Sequence, residues 1–177
     1  MPESSFDESD VHRVLAHFAD EQPEAAQLAR SLVDRGDLVI EAWGPRQMAV
    51  YHLVVRHGSW DVMFRSERGF ADAASVARAK PPRTPWESYR PLGLAVLAWA
   101  RSHDVPFRLE HLADLHHHLA DFGVDAIDWL DAGNGAVLER LYRAWRDGQR
   151  TIGYSRASMQ DPRLVAEALA QLEAAAR

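Results

Sequence analysis

Residues 108–122 read RLEHLADLHHHLADF, and this stretch decides the fold that we predict from the sequence. When it is wound at roughly 100° per residue, its leucines and Phe122 fall on one arc, as the apolar face of an amphipathic helix requires. Its acidic residues fall on the opposite arc. We therefore predict one helix over 108–122, with its leucines facing the core and its carboxylates facing solvent.

The polar side of this helix is the first candidate for a functional surface. Residues 104–139 contain one arginine and eight acidic residues, within a chain whose net charge is −6. A carboxylate-rich surface steers a basic partner over long range. A solvated helix face without a partner is the simpler explanation of the same pattern. The predicted binding residues are Glu110, Asp114, Asp121, Asp125 and Asp128.

The same stretch contains the residue types of a metal site. Asp114 and His117 are three residues apart, and His118 follows directly. Helical residues three or four apart are neighbours, so a carboxylate and imidazoles can converge on one divalent ion. A two-metal bundle site would need a matching motif on a facing helix, and the sequence offers no second motif of that kind. Asp114, His117 and His118 are the candidate ligands, and no cofactor is the simpler expectation.

His116 is the polar residue that this winding places inside the leucine arc. An imidazole in that position is either a core residue hydrogen-bonded to a neighbour or a site residue with a shifted pKa. Asp104 and Tyr142 are conceivable partners. A structural histidine is the favoured interpretation, and His116 is the candidate catalytic residue if the protein is an enzyme.

Towards the N-terminus the pattern changes from helical to alternating. The segments 37–43 (DLVIEAW), 47–56 (QMAVYHLVVR) and 60–65 (WDVMFR) are short, apolar and separated by turn signals. Short connections between consecutive strands imply an antiparallel sheet. We predict a three-stranded antiparallel sheet over about residues 37–65, with 47–56 as its central strand.

Helical patterns lie on both sides of this sheet. We predict an N-terminal pair, the first capped by Ser9 or Asp10 and the second beginning at Pro23. After the sheet we predict helices over 71–80 and 92–101, then from Asn134-Gly135 to Gly148, and finally from Pro162. Residues 121–135 resemble a loop. The predicted fold class is α+β, with N-terminal helices, the sheet and then a C-terminal helical half.

The domain organisation follows from composition. Residues 1–8 are polar and acidic without periodicity, so we predict that they are disordered. Residues 9–177 form a single predicted α+β domain. The prolines within 80–86 (KPPRTPW) favour an extended segment, which is the best candidate for an internal boundary.

Composition also limits the class of protein. Cysteine is absent, which excludes disulfides, thiolate metal sites and cysteine nucleophiles. The longest apolar run, 92–100, is far shorter than the roughly 20 residues of a membrane span, and the acidic N-terminus has no export signal. We expect a cytoplasmic protein with no membrane association. Nineteen of its twenty basic residues are arginine, as a GC-rich bacterial genome would produce.

The sequence contains none of the common nucleophile, nucleotide-binding or zinc-protease motifs. We expect a non-enzymatic binding protein whose partner is another protein with a basic surface, and a bacterial immunity or antitoxin-like inhibitor is the concrete form. A metal-dependent or His-assisted enzyme centred on residues 110–121 is the alternative. An arginine-mediated nucleic-acid binder is the third class, and the acidic net charge argues against it because the phosphate backbone attracts basic residues. The choice of a binder over an enzyme depends on the two-sided helix over 108–122.

Overall fold

The sheet is larger than the sequence predicts. In the computed structural model, which describes residues 7–46, 50–67, 70–153 and 159–177, five antiparallel strands pair in chain order. The α+β class is confirmed, but the prediction of three strands is wrong because two further strands extend the sheet beyond residue 65. The strands are β1 (Leu38–Arg46), β2 (Val50–His57), β3 (Trp60–Glu67), β4 (Phe70–Arg78) and β5 (Arg90–Pro91).

β4 occupies the residues that we predicted as a helix over 71–80. The alanines there favour a helix by less than about 1 kcal/mol each. β4 instead pairs along its length with β3, and its Ser75 and Val76 also pair with β5. Ala74 and Val76 are buried in the core. Ladder hydrogen bonds and burial therefore override a weak local preference, and β3 rather than β2 becomes the central strand.

Six α-helices accompany the sheet in the described residues, and none is long and apolar enough to cross a membrane. The first is capped by the side chain of Asp7 rather than by Ser9 or Asp10. The helix that we predicted to end at Gly148 continues to Ile152, because Gly148 packs closely against Ala168 of the last helix. The helices are α1 (Glu8–Glu21), α2 (Pro23–Asp34), α3 (Leu92–Ser102), α4 (Leu119–Trp129), α5 (Ala136–Ile152) and α6 (Pro162–Ala176).

Three sequence predictions fall partly outside the described residues. They are the disordered N-terminus, of which 1–6 is not described, the start of the second strand at 47–49, and residues 149–160, whose sequence predicts irregular structure and of which 154–158 is not described. Asp7 and Glu8 belong to the beginning of α1.

The core lies between one face of the sheet and the helices. Leu53 and Val55 of β2 alternate with residues that face the other side, and Val62 and Phe64 of β3 do the same. α3 is buried over almost its whole length, as its apolar sequence predicts. It contacts α4, α5, α6 and β4. The opposite face of the sheet therefore carries the polar residues of β1 to β3.

Residues 108–122 do not form one helix, so this prediction is wrong. A 3₁₀ helix spans Leu112–His116, His118 has a left-handed backbone (φ 66°), and α4 begins at Leu119. The carboxylate of Asp114 accepts hydrogen bonds from the backbone N–H groups of Glu110 and His111, both at 2.7 Å. Such bonds compete with helix formation. Most of the segment 121–135, which we predicted to be a loop, lies in α4 and the wide turn after it.

A glycine in α3 allows this segment to pack closely. A Cβ atom at Gly93 would lie 2.6 Å from the carbonyl carbon of Leu115 and closer still to its oxygen. Leu115 and Leu119 are buried, and they reach the core from two short helices rather than from one face. We based the choice of a binder over an enzyme on a two-sided helix over 108–122, and this helix is absent.

Candidate functional site

A proline-containing strap crosses the outer face of the sheet. We define the strap as residues 80–89, which join β4 to β5 and include the segment that we considered as an internal boundary. The hydroxyl of Thr84 donates to Asp61 at 2.6 Å and accepts from the backbone N–H of Lys80 at 2.9 Å. Nε of Arg83 lies 2.9 Å from a carboxylate oxygen of Glu41. These bonds fix the strap to β1 and β3.

The strap covers a buried ion pair. Arg56 donates two hydrogen bonds to Asp61, at 2.7 and 3.0 Å, and Asp61 is 1% exposed. A buried carboxylate needs such a bidentate partner, since desolvation would otherwise make its charge very costly. Burial, together with the negative charges of Asp61 and Glu41, raises the pKa of Tyr89 well above its ordinary value. Tyr89 is therefore a neutral phenol at physiological pH.

Glu41 and His52 form a carboxylate–imidazole pair beneath the strap, with 3.3 Å between the carboxylate and Nε2. A carboxylate and an imidazole at hydrogen-bond reach can hold or move a proton. The cavity beside them measures about 110 Å³, whereas sites for small organic molecules are usually at least about 300 Å³. The pair and the ion pair therefore serve best as the anchor that positions the strap.

The strap holds two aromatic residues at the edge of a larger cavity. This aromatic cavity, of about 320 Å³, lies between the strap, β4 and α5. Tyr142 and Trp145 of α5 stack with 5.7 Å between their ring centroids. Trp86 of the strap is 50% exposed, although most tryptophans bury their large apolar surface. The residues that define the aromatic cavity are Trp86, Tyr89, His116, Tyr142 and Trp145.

Arginine side chains lie over the rings of this cavity. The guanidinium carbon of Arg65 is 4.6 Å from the centroid of Trp86, and that of Arg90 is 4.2 Å from the centroid of Tyr142. Arg90 is held in place by Glu139 at 3.0 Å and by the backbone carbonyls of Glu87 and Tyr89. Cation–π contacts at these distances are attractive. The aromatic walls are thus held in place by the strap anchor and by fixed guanidinium groups.

His116 lies on the wall of the aromatic cavity. It is exposed at the end of the 3₁₀ helix, so the favoured interpretation of a core histidine is wrong. Its predicted environment depended on the helix that does not form. Tyr142, one of its two conceivable partners, lines the same cavity. The structure therefore brings His116 to a concave aromatic surface that its position in the leucine pattern did not suggest.

The structure separates the predicted binding residues into two groups. Glu110 pairs with Arg108 at 2.6 Å, and Asp114 caps the 3₁₀ helix. Partial burial raises the pKa of Asp114, but the hydrogen bonds from the N–H groups of His111 and Glu110 outweigh it, and the pKa is lowered. The other three residues lie at positions i, i+4 and i+7 of α4 and are exposed on one of its faces. We call this face the acidic ridge: Asp121, Asp125 and Asp128.

The C-terminal end of the acidic ridge is tied to the sheet by a histidine at the end of β2. His57 lies between two carboxylates, with Nδ1 2.8 Å from Asp37 and Nε2 2.6 Å from Asp128. Burial disfavours the imidazolium, but the hydrogen bonds to Asp128 and Asp37 outweigh it and raise the pKa of His57. Three residues along, Asp131 binds the backbone N–H and hydroxyl of Ser59.

The candidate metal ligands do not converge. Nδ1 of His117 is 3.9 Å from Asp114, whose carboxylate already accepts two backbone hydrogen bonds, and Nδ1 of His118 is 3.7 Å from Asp121. His117 and His118 flank the turn between the 3₁₀ helix and α4 rather than one helix face. Among the residues that the structure describes, no three histidine, aspartate or glutamate side chains are grouped to hold a metal ion.

Sequence reasoning also missed the strap residues of the aromatic cavity. Trp86 and Tyr89 follow three prolines at 81, 82 and 85, and two aromatic residues in a proline-rich connection were the available signal.

Comparison of the chain with protein-family models, with curated proteins and with solved structures finds no match.

Proposed function

We propose that this chain is a non-enzymatic binding protein whose partner is another protein, and that the partner inserts a side chain into the aromatic cavity. A bacterial immunity or antitoxin-like inhibitor acting in the cytoplasm is the concrete form of the proposal. The observation that carries it is the open aromatic cavity, in which the half-exposed Trp86 faces α5 across about 320 Å³.

The composition of the cavity supports protein binding. Tryptophan, tyrosine and arginine are the residues that most often dominate the free energy of protein–protein interfaces. Trp86, Tyr142 and Trp145 supply large apolar surfaces, and Arg90 is already held by hydrogen bonds. A preordered surface loses little side-chain entropy on binding. A partner residue that packs between the strap and α5 would bury Trp86.

The acidic ridge supplies a second contact for the same partner. Asp121 and Asp125 are exposed, while Asp128 also bonds to His57. Exposed charges on the rim of an interface mainly accelerate association and make it sensitive to salt. We propose that the ridge steers a partner whose surface is basic, and that the aromatic cavity then retains it.

Alanine substitution in the cavity tests the proposal. The untagged wild-type chain, W86A/W145A and the control L38A are each immobilised and exposed to a lysate of the native host. Leu38 is 60% exposed and lies on β1, outside the aromatic cavity. We expect wild type and L38A to retain the same defined protein, and W86A/W145A to lose it. Retention of that protein by W86A/W145A would refute the role of the cavity.

The acidic ridge is tested by the association rate of that partner. D121N/D125N and the control D20N/E21Q remove the same charge, and all four residues are exposed on helices. We expect D121N/D125N to slow association roughly tenfold at low salt with little change in dissociation. An equal effect of D20N/E21Q would show that net charge alone, rather than the ridge, attracts the partner.

His116 favours a second candidate function, a His-assisted enzyme that acts on a ligand in the aromatic cavity. The observation is its position on the cavity wall beside Tyr142. The metal content of the protein, measured after purification without an affinity tag, distinguishes a metal-dependent enzyme from the binding protein. Only the metal-dependent enzyme requires a stoichiometric ion. A His116→Gln variant that still binds the partner as tightly as wild type would favour the binding protein over the enzyme.

A further inference from the structure

The lining of the aromatic cavity limits the chemistry of the side chain that can enter it, and an inference drawn from this lining rests on the proposed function. Four of the ten described residues that line the cavity are tryptophan or tyrosine, and none of the ten is aspartate, glutamate, lysine or arginine. A side chain that enters therefore meets aromatic rings and neutral polar groups, and it meets neither a carboxylate nor a guanidinium group directly.

Two rings of the cavity are already in contact with cations. The guanidinium carbon of Arg65 is 4.6 Å from the centroid of Trp86, and that of Arg90 is 4.2 Å from the centroid of Tyr142. Neither arginine lines the cavity, so both guanidinium groups lie outside it. A lysine or arginine of the partner that stacked on the cavity side of Trp86 would place a second cation within about 10 Å of Arg65. Repulsion between these two cations opposes the attraction of the second cation to the ring.

The carboxylates near these rings do not offer a counterion to a cation inside the cavity. Glu67 is bound to Arg65 at 2.9 Å, and Glu139 is bound to Arg90 at 3.0 Å. Glu87 of the strap is exposed and does not line the cavity. A charged side chain that loses its water without gaining a counterion is strongly disfavoured. The cavity therefore suits an uncharged side chain, even on a partner whose surface is basic.

The cavity wall also contains polar side chains that an occupant would cover. Ser75 and Gln149 line the cavity, and their side chains form no hydrogen bond with the other residues that the structure describes. An aliphatic side chain or the ring of a phenylalanine would remove these groups from solvent without offering them a hydrogen bond, which is unfavourable. An indole can only donate, whereas a phenol hydroxyl both donates and accepts and can pair with either end of an amide. The wall therefore favours a ring that carries a hydroxyl group.

We propose that the partner residue that enters the aromatic cavity is a tyrosine, whose ring packs against Trp86 and Trp145 and whose hydroxyl forms a hydrogen bond with Gln149. Packing between aromatic rings stabilises a complex beyond the burial of their area. The cavity volume of about 320 Å³ is large enough for a group of this kind. The acidic ridge then attracts the partner through its charge, and the cavity recognises an uncharged ring on it.

The test titrates the full chain, labelled with ¹⁵N, with the N-acetyl amides of tyrosine, phenylalanine and lysine and with adenosine. The indole N–H resonances of Trp86 and Trp145, identified by their absence in W86F and W145F, report binding. Trp99 of α3, which stacks on His103 outside the cavity, is the internal control. We expect the tyrosine amide to shift the two cavity resonances and not that of Trp99. Its Kd should be roughly fivefold lower than that of the phenylalanine amide and at least about tenfold lower than that of the lysine amide.

Three results of these titrations would overturn the proposal. The first is that the tyrosine amide leaves both cavity resonances unshifted. The second is that the phenylalanine or lysine amide binds as tightly as the tyrosine amide. The third is that adenosine binds more tightly than the tyrosine amide, which would indicate a site for a nucleobase.

Leucine substitution of Gln149 tests the contact with the hydroxyl group. We expect Q149L to remove the preference for the tyrosine amide over the phenylalanine amide, because the hydroxyl loses its partner. The control Q171L changes an exposed glutamine of α6 and should keep the preference. An undiminished preference in Q149L would overturn the assigned contact. Loss of the captured partner from W86A/W145A, together with no preference for tyrosine, would support the proposed function and overturn this inference alone.

Discussion

Substitution of Gly93 by alanine tests the packing that replaces the predicted helix over 108–122. Gly93 lies inside α3, and the backbone of the 3₁₀ helix crosses directly over it. A new Cβ atom would overlap the carbonyl group of Leu115, which is backbone and cannot rotate away. The 3₁₀ helix must therefore move away from α3, or the protein must keep the strain.

The magnitude follows from what this movement loses. Leu115 is 1% exposed, and removing a leucine from the core costs about 1.5–3 kcal/mol. The overpacking that remains costs about 1–3 kcal/mol. Alanine returns about 1 kcal/mol, because it favours a helix interior more than glycine does. We expect G93A to lower the free energy of unfolding by about 1.5–5 kcal/mol.

Urea denaturation followed by circular dichroism measures this change, with Gly123→Ala as the matched control. A Cβ atom at Gly123 in α4 would meet only the side-chain methyl groups of Leu28, at 2.7 and 2.9 Å, which can shift. We expect G123A to stay within about 1 kcal/mol of wild type. If G93A displaces Leu115, then L115A should cost much less in the G93A background than in wild type. A G93A protein as stable as wild type would refute the packing of residues 112–116 on α3.

Two further predictions concern the ties between the sheet and its surroundings. Asp128 and Asp37 raise the pKa of His57 in the folded protein above its unfolded value of 6.5. The protonated His57 bridge therefore stabilises the folded protein fully below pH 6.5, and this contribution is lost as the pH rises through the folded pKa. Urea unfolding between about pH 5.5 and 8.5 should show this loss in wild type and not in His57→Gln, and an identical decline in both would contradict the bridge. Thr84→Val should lower the free energy of unfolding by about 1–2 kcal/mol, because it removes one of the hydrogen bonds that the buried carboxylate of Asp61 accepts, and should speed trypsin cleavage at Arg83. The control Thr151→Val changes a partly exposed threonine in the last turn of α5 and should change neither. Equal cleavage rates would show that Thr84 does not hold the strap.

The residues of the aromatic cavity show why a site is harder to predict than a strand. The alternation of Trp60, Val62 and Phe64 is typical of a strand with one buried face, and all three residues are buried. The helical spacing of Tyr142 and Trp145 is typical of residues that face the core, but both also line a cavity because Trp86 and Tyr89 approach from the strap. That approach depends on the Thr84–Asp61 hydrogen bond, whose partners are 23 residues apart. Single-residue patterns contain no information about such pairs.

Local patterns by themselves determined the α+β class, the antiparallel hairpins of β1 to β3, the buried α3 and the proline-initiated starts of α2 and α6. Each of these depends on neighbours within a few residues, where apolar spacing and caps act directly. Tertiary structure alone decided the course of residues 71–80 and 108–122. Alanine-rich β4 became a strand because β3 and β5 pair with it. The spacing of the leucines in 108–122 also matches one face of a single helix. The close approach of Leu115 to Gly93 and the hydrogen bonds of Asp114 stabilise two short helices instead.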